Sequence, residues 1–189
     1  MPLIRDCDRF PFGIRQPVDQ GWCIPASIEV VTKYHMPNST VTQQHIVDEF
    51  VRQTNLTIDS IGLKTITEVL KHDSAFSWAD KRYFEDFEFH GSFDELANFA
   101  EVCVDRSQPL IISIPVLDIP FHIGKWNGWH MYVIVGYDTT FFRVYDPAPV
   151  QAQPRPWRDI SKFKIRTDLL SKKKTMDATD ALLLTPQHA

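Results

Sequence analysis

Two apolar runs rich in β-branched and aromatic residues, Met131–Tyr137 and Phe141–Tyr145, are separated only by Asp138-Thr139-Thr140. So short a polar break predicts an antiparallel hairpin, and the turn sets the register of everything beyond it. Leu110–Val116 predicts another strand and Ala181–Leu184 a last one. The first half reads differently. Ile24, Ile28 and Val31 recur at helical spacing over 24–35, and Ala26, Ser27 and Val30 leave little polar surface, so this helix is expected at the centre of the fold. Pro25 falls in its first turn, where a missing N–H does no harm, and Met36-Pro37-Asn38 ends it. Helices are also expected over about Thr42–Thr54, capped by Thr40 or Thr42, and about Gly62–Lys71, capped near Asp59-Ser60. Ser92 with Glu95 three residues later forms a capping-box pattern that opens a helix to about Asp105. Residues 1–22 read as an extended, Pro-rich leading segment, Phe87-Glu88-Phe89 as a strand, and Asp159–Leu170 as a helix. Helices first and an antiparallel sheet afterwards is α+β, with a cleft where the first helix meets the sheet.

At 189 residues the chain is expected to form one domain, 1–189. Its net charge of −4 gives no sign of nucleic-acid binding. No run of about 18 apolar residues exists, so no membrane span is expected. The opening MPLIRDCDRFPFGIR lacks an apolar core and does not read as a secretory signal. Cytoplasmic is the default location, although a protein exported without a signal would look the same. Three cysteines with no C-x-x-C pair argue against a disulfide framework and against structural zinc, and favour a reducing compartment. Lys172-Lys173-Lys174 reads as a solvated turn, with an acidic partner surface as the alternative, and the acidic run from Asp80 to Glu95 as a solvated face.

Cys23 lies in Gln16-Pro-Val-Asp-Gln20-Gly-Trp22-Cys23, directly before the first helical run. A helix start carries partial positive charge and unpaired N–H groups, which favour a thiolate. A cysteine there is more often a small buried hydrophobe; what sets Cys23 apart lies downstream. His130 opens the strand Met131–Tyr137, and Asp146 follows Phe141–Tyr145. A hairpin turning at 138–140 pairs residues whose numbers add to about 278, which brings His130 and Asp146 to neighbouring positions. Cysteine hydrolysis needs a thiolate, a histidine to take and return its proton, and a group that holds the histidine's tautomer. Cys23, His130 and Asp146 meet those needs. The backbone N–H of Cys23 and an upstream amide, Gln16 or Gln20, are the oxyanion-hole candidates.

Other residues read more plainly. His122 competes with His130, but no comparable strand follows it. Cys7 and Cys103 read as structural, and His35, His45, His72 and His90 as surface or capping residues. A metal site built from the cysteines and His130 lacks ligand spacing, so no metal or cofactor is expected. Pro115–Trp129 is a long aromatic loop beside the candidate site. It suits a substrate wall or lid, with core packing of Trp129 as the alternative.

The segment Gln-x-x-x-Gln-Gly-Trp-Cys-x-Pro-Ala-Ser resembles the active-site opening of papain-like cysteine peptidases, nearest the bacterial branch of bacteriocin-leader-processing (double-glycine) peptidases. Gly128-Trp129-His130-x-Tyr-Val-Ile-Val-Gly-Tyr-Asp138 is similar to that branch's histidine strand, and Val144-Tyr-Asp146-Pro-Ala to its aspartate motif. The resemblance covers about residues 10–185. It implies a papain-like fold, its nucleophile helix packed on a C-terminal antiparallel sheet. It also implies a peptide or protein substrate and roles of nucleophile for Cys23, general base and acid for His130, and orienter for Asp146. The family's glutamine stands six residues before the cysteine, where this chain has Pro17; Gln16 and Gln20 are the nearest, with Gln16 preferred. Ile24 replaces the usual glycine. The same machinery supports deamidation or acyl transfer, and the rival expectation is a non-catalytic peptide-binding module on the same fold.

Overall fold

The structure is a computed structural model that describes residues 2–17, 21–57, 61–85, 93–116, 128–148, 158–161 and 180–187. The first helix, α1 (Cys23–His35), begins at Cys23 itself, and every residue from Cys23 to Thr32 is buried. That is the central helix expected from its lack of a polar face. α2 (Gln43–Thr54) starts at Thr42, whose hydroxyl accepts the His45 N–H at 3.2 Å. This selects Thr42 over Thr40 as the cap. α3 (Leu63–Lys71) begins after Gly62 with no side-chain cap; the expected cap at 59–60 lies outside the described residues. α4 (Phe93–Asp105) matches the helix expected after Ser92, itself outside the described residues.

The strands are β1 (Ala79–Phe84), β2 (Leu110–Val116), β3 (Gly128–Tyr137), β4 (Phe141–Tyr145), β5 (Arg158–Ser161) and β6 (Ala181–Pro186). They form one antiparallel sheet in the order β1-β6-β2-β3-β4-β5. The hairpin register is the expected one. Val133 faces Tyr145 and Ile134 faces Val144, and a bulge after Ile134 moves the pairs nearest the turn by one residue. Ala181 to Leu184 are buried without interruption, as a strand covered on both faces requires. Leu183 shares a cavity with Phe99 and Cys103 of α4, while α1 and α3 also pack against β6.

Two expectations change. Asp159–Ser161 is extended, not the start of a helix: Asp159 pairs with Arg143 across β4–β5, their side chains 3.0 Å apart. The unpaired backbone groups along the β4 edge offer this segment hydrogen bonds that outweigh its local helical pattern. β1 was not expected at all, since Asp80, Lys81 and Arg82 look like solvated polar sequence. It is an edge strand, buried at Ala79 and Phe84. The strand read at 87–89 lies outside the described residues.

The leading segment is tied to the far end of β3, where β2 no longer reaches. Ile4 N–H donates to Val135 C=O at 3.0 Å and Tyr137 N–H to Pro2 C=O at 3.1 Å. Gly136 lets the two chains approach: a Cβ there would meet the Leu3 side chain and lie 2.9 Å from the Pro2 carbonyl oxygen. Gly136→Ala is therefore expected to cost about 1–3 kcal/mol in urea unfolding. Gly13→Ala, with nothing within 4 Å of the added carbon, is the matched control and should be close to neutral.

Candidate active site

α1 carries Cys23 at its first helical position, β3 carries His130, and Asp146 follows directly on β4. Hairpin register brings the last two together: His130 Nε2 and Asp146 Oδ1 are 2.8 Å apart. Both are buried, at 3% and 4% exposure. A carboxylate accepts, so Nε2 is the donor and the ring is held with Nδ1 as its proton-exchanging nitrogen. The imidazole also interacts with the Cys23 side chain. Cys23 retains 8% exposure. Three residues far apart in sequence thus converge at the start of α1.

Burial by itself pushes the His130 imidazole down. The hydrogen bonds and charges of Asp146 and Cys23 more than offset this, and raise it to about 9. The ring, wedged between a carboxylate and a sulfur, is thus poised to accept and hold a proton. Burial pushes the other two thiols the opposite way from reactivity: Cys103 rises to about 12, and Cys7 is raised as well. That fits the structural reading of both.

Asp146 Oδ1 also accepts the Ala148 N–H at 2.9 Å, an Asx turn that fixes the carboxylate's rotamer. Gln16 is half-buried, and its backbone N–H donates to Pro147 C=O at 3.0 Å, placing it beside the aspartate turn. Gln20 and the aromatic loop 117–127, with His122, lie outside the described residues. Ile24 is 4% exposed and packed into the hydrophobic core. The cavity of about 400 Å³ between α4 and β6 contains none of these residues.

Sequence reasoning missed two features. Arg15 Nη1 donates to the Asp146 backbone carbonyl at 2.8 Å, and no spacing pattern signals such a contact. His35 is not a surface residue. It is half-buried against Tyr34 and Trp78, with ring centroids 4.9 and 5.7 Å away and its Nε2 fully covered. His45, in contrast, pairs with Asp73 at 2.8 Å at the start of α2, and His72 is the exposed C-cap of α3.

An antiparallel sheet with a buried helix presenting a cysteine to a strand-borne histidine and a following aspartate defines a cysteine-peptidase type of fold. Over residues 10–172 the chain matches the Peptidase_C39 like family, and it belongs to that family. Among solved structures it resembles the peptidase domain of Streptococcus ComA, a bi-functional ABC transporter involved in a quorum sensing pathway. That likeness has a TM-score of 0.56 at 17% identity and covers 92% of this chain and 97% of that one. A Bacillus anthracis structure described as a C39-like peptidase aligns with a TM-score of 0.61 at 16% identity, over 99% of this chain and 98% of that one. No curated protein matches the sequence. Among the described residues no helix is long and apolar enough to cross a membrane.

Proposed function

We propose that the chain hydrolyses a peptide or amide bond in a peptide or protein, with Cys23 as nucleophile, His130 as general base and acid, and Asp146 as orienter. The supporting observation is the His130 imidazole set between Asp146 and Cys23 at the first turn of α1. The sulfur gives its proton to His130 Nδ1 and attacks the carbonyl carbon, and the carbonyl π electrons move onto oxygen. The backbone N–H of Cys23, at the first helical position, has no partner within the helix and can donate to that oxyanion. The Gln16 side-chain amide is the preferred second donor, a choice supported by its backbone bond to Pro147 beside the aspartate. Collapse of the intermediate breaks the C–N bond as His130 returns the proton to the leaving amine. Water, deprotonated by His130, then cleaves the thioester. An amine in place of water would give acyl transfer, and a glutamine side chain as substrate would give deamidation. Three unpaired thiols suit a reducing compartment.

Alkylation tests the nucleophile. Near neutral pH, iodoacetamide should label Cys23 at least about tenfold faster than Cys7 or Cys103, read by peptide mass spectrometry. A proteome-wide cleavage screen with Cys23→Ala as control then identifies the substrate. If Cys23 reacts no faster than Cys7 and Cys103, or Cys23→Ala retains full cleavage, the hydrolase reading fails. An inert thiol in a chain that still captures peptide would leave the non-catalytic binding module.

A further inference from the structure

β4 ends at Tyr145, and its last pair with β3 is Tyr145 with Val133. Asp146 therefore lies beyond the ladder, where sheet hydrogen bonds no longer fix the backbone. Yet its carboxylate must stay on His130 Nε2 to within a few tenths of an ångström. Residues 14–16 of the leading segment run alongside and take over. The Tyr145 hydroxyl donates to Ile14 C=O, Arg15 Nη1 donates to Asp146 C=O at 2.8 Å, and Gln16 N–H donates to Pro147 C=O at 3.0 Å. Only the middle bond reaches Asp146 itself, and it is charge-assisted.

Arg15 is itself held. Its guanidinium carbon lies 5.4 Å from the Tyr145 ring centroid, a cation–π distance. Gln43 of α2 donates to its backbone carbonyl at 2.9 Å. No carboxylate among the described residues forms an ion pair with it. A half-buried guanidinium that donates to the Asp146 carbonyl and also bonds the Tyr145 side chain, with no ion-pair carboxylate among the described residues, is placed to fix the 145–146 backbone.

We propose that Arg15 is a positioning residue that holds Asp146 against His130 through the Asp146 carbonyl; this rests on the hydrolase reading above. The segment carrying Arg15 also carries Gln16, so one strap sets the orienting acid and the candidate oxyanion donor in a common frame. Arg15 touches none of the reacting atoms and acts through Asp146 alone.

The test compares iodoacetate with iodoacetamide at Cys23 over roughly pH 6–10, a span that brackets an imidazole raised above its ordinary range. An imidazolium attracts the carboxylate of iodoacetate and not the neutral amide, so the ratio of the two rates titrates His130. In Arg15→Met, Cys23 labelling at neutral pH should slow by about tenfold. The midpoint of the ratio should move to lower pH, because Asp146 no longer secures the protonated ring. Arg15→Lys, which keeps a donor for the carbonyl, should recover part of both. An Arg15→Met protein with unchanged rate and midpoint overturns the proposal while leaving the hydrolase reading intact. A wild-type protein whose ratio shows no imidazolium at all overturns that reading instead. Labelling of buried Cys103 reports whether each variant is folded. If Arg15→Met unfolds, Arg15→Gln, shorter and uncharged, decides by the same two readouts: a slower rate with a lowered midpoint supports the proposal and an unchanged profile refutes it.

Discussion

Replacing His130 with alanine should lower Cys23-dependent cleavage by at least about a thousandfold while leaving the chain folded. The expected loss is large because His130 serves both half-reactions: it receives the thiol proton before attack and supplies a proton to the leaving amine. Its burial at 3% exposure leaves little room for water to substitute. Asp146→Asn should also be severe, because an amide can present its N–H to Nε2 and reverse the tautomer that Asp146 enforces at 2.8 Å. The two variants separate on labelling. His130→Ala should abolish the preference of Cys23 for iodoacetate over iodoacetamide, whereas Asp146→Asn should retain the preference only at lower pH. Cleavage by His130→Ala within about tenfold of wild type would exclude His130 as the base. It would send attention to another histidine.

Acid should unfold the protein earlier than its carboxylates alone require, because of His35. This ring closes the buried helix α1, and its Nε2 is buried without a hydrogen-bond partner among the described residues. Burial pushes its pKa down from 6.5 to about 4, against a smaller opposing effect from a hydrogen bond to the Leu184 backbone. Trp78, tilted against it with ring centroids 5.7 Å apart, has a buried indole N–H that likewise lacks a partner among the described residues. Neutral His35 presents an acceptor to that surrounding, whereas protonated His35 would set a second donor against it. The folded pKa lies below the unfolded one, so the unfolded chain takes up the proton first. The contribution is fully present above pH 6.5 and is lost as pH falls toward 4, amounting to at most about 3 kcal/mol. Urea unfolding across this window should show the loss in the wild type and a flatter curve in His35→Phe. Equal slopes in the two proteins would refute the assignment. His130 has the opposite sign: its pKa is raised, so its share is present below pH 6.5 and is lost as pH climbs through about 9. Together they place greatest stability between the two titrations.

Much of this was legible beforehand. The central helix could be read because α1 has almost no polar face, a pattern only a fully covered helix tolerates. The hairpin could be read because a three-residue turn permits few registers, and Val133–Tyr145 pairing follows from it. β1 and β5 could not, because both are short edge strands whose charged residues are stabilised by pairing, not by any local pattern. His35 was misread for a related reason. Its position at a helix end suggests solvent, and only the packing of Trp78 and β6 across that end buries it.

The amino-acid sequence alone therefore determined the four helices, the strands β2, β3, β4 and β6, the register that puts His130 beside Asp146, and the placing of Cys23 at a helix start. These are consequences of local periodicity and turn length, which act over a few residues. Tertiary structure decided the rest. It delivered α1 to the open end of the β3–β4 hairpin, so that Cys23 meets the imidazole across more than a hundred residues of chain. It laid residues 14–16 along 145–147, giving Asp146 a backbone partner in Arg15 where the ladder stops. Contacts of that kind depend on how packed elements exclude water and satisfy one another's backbone groups, and no spacing along the chain encodes them.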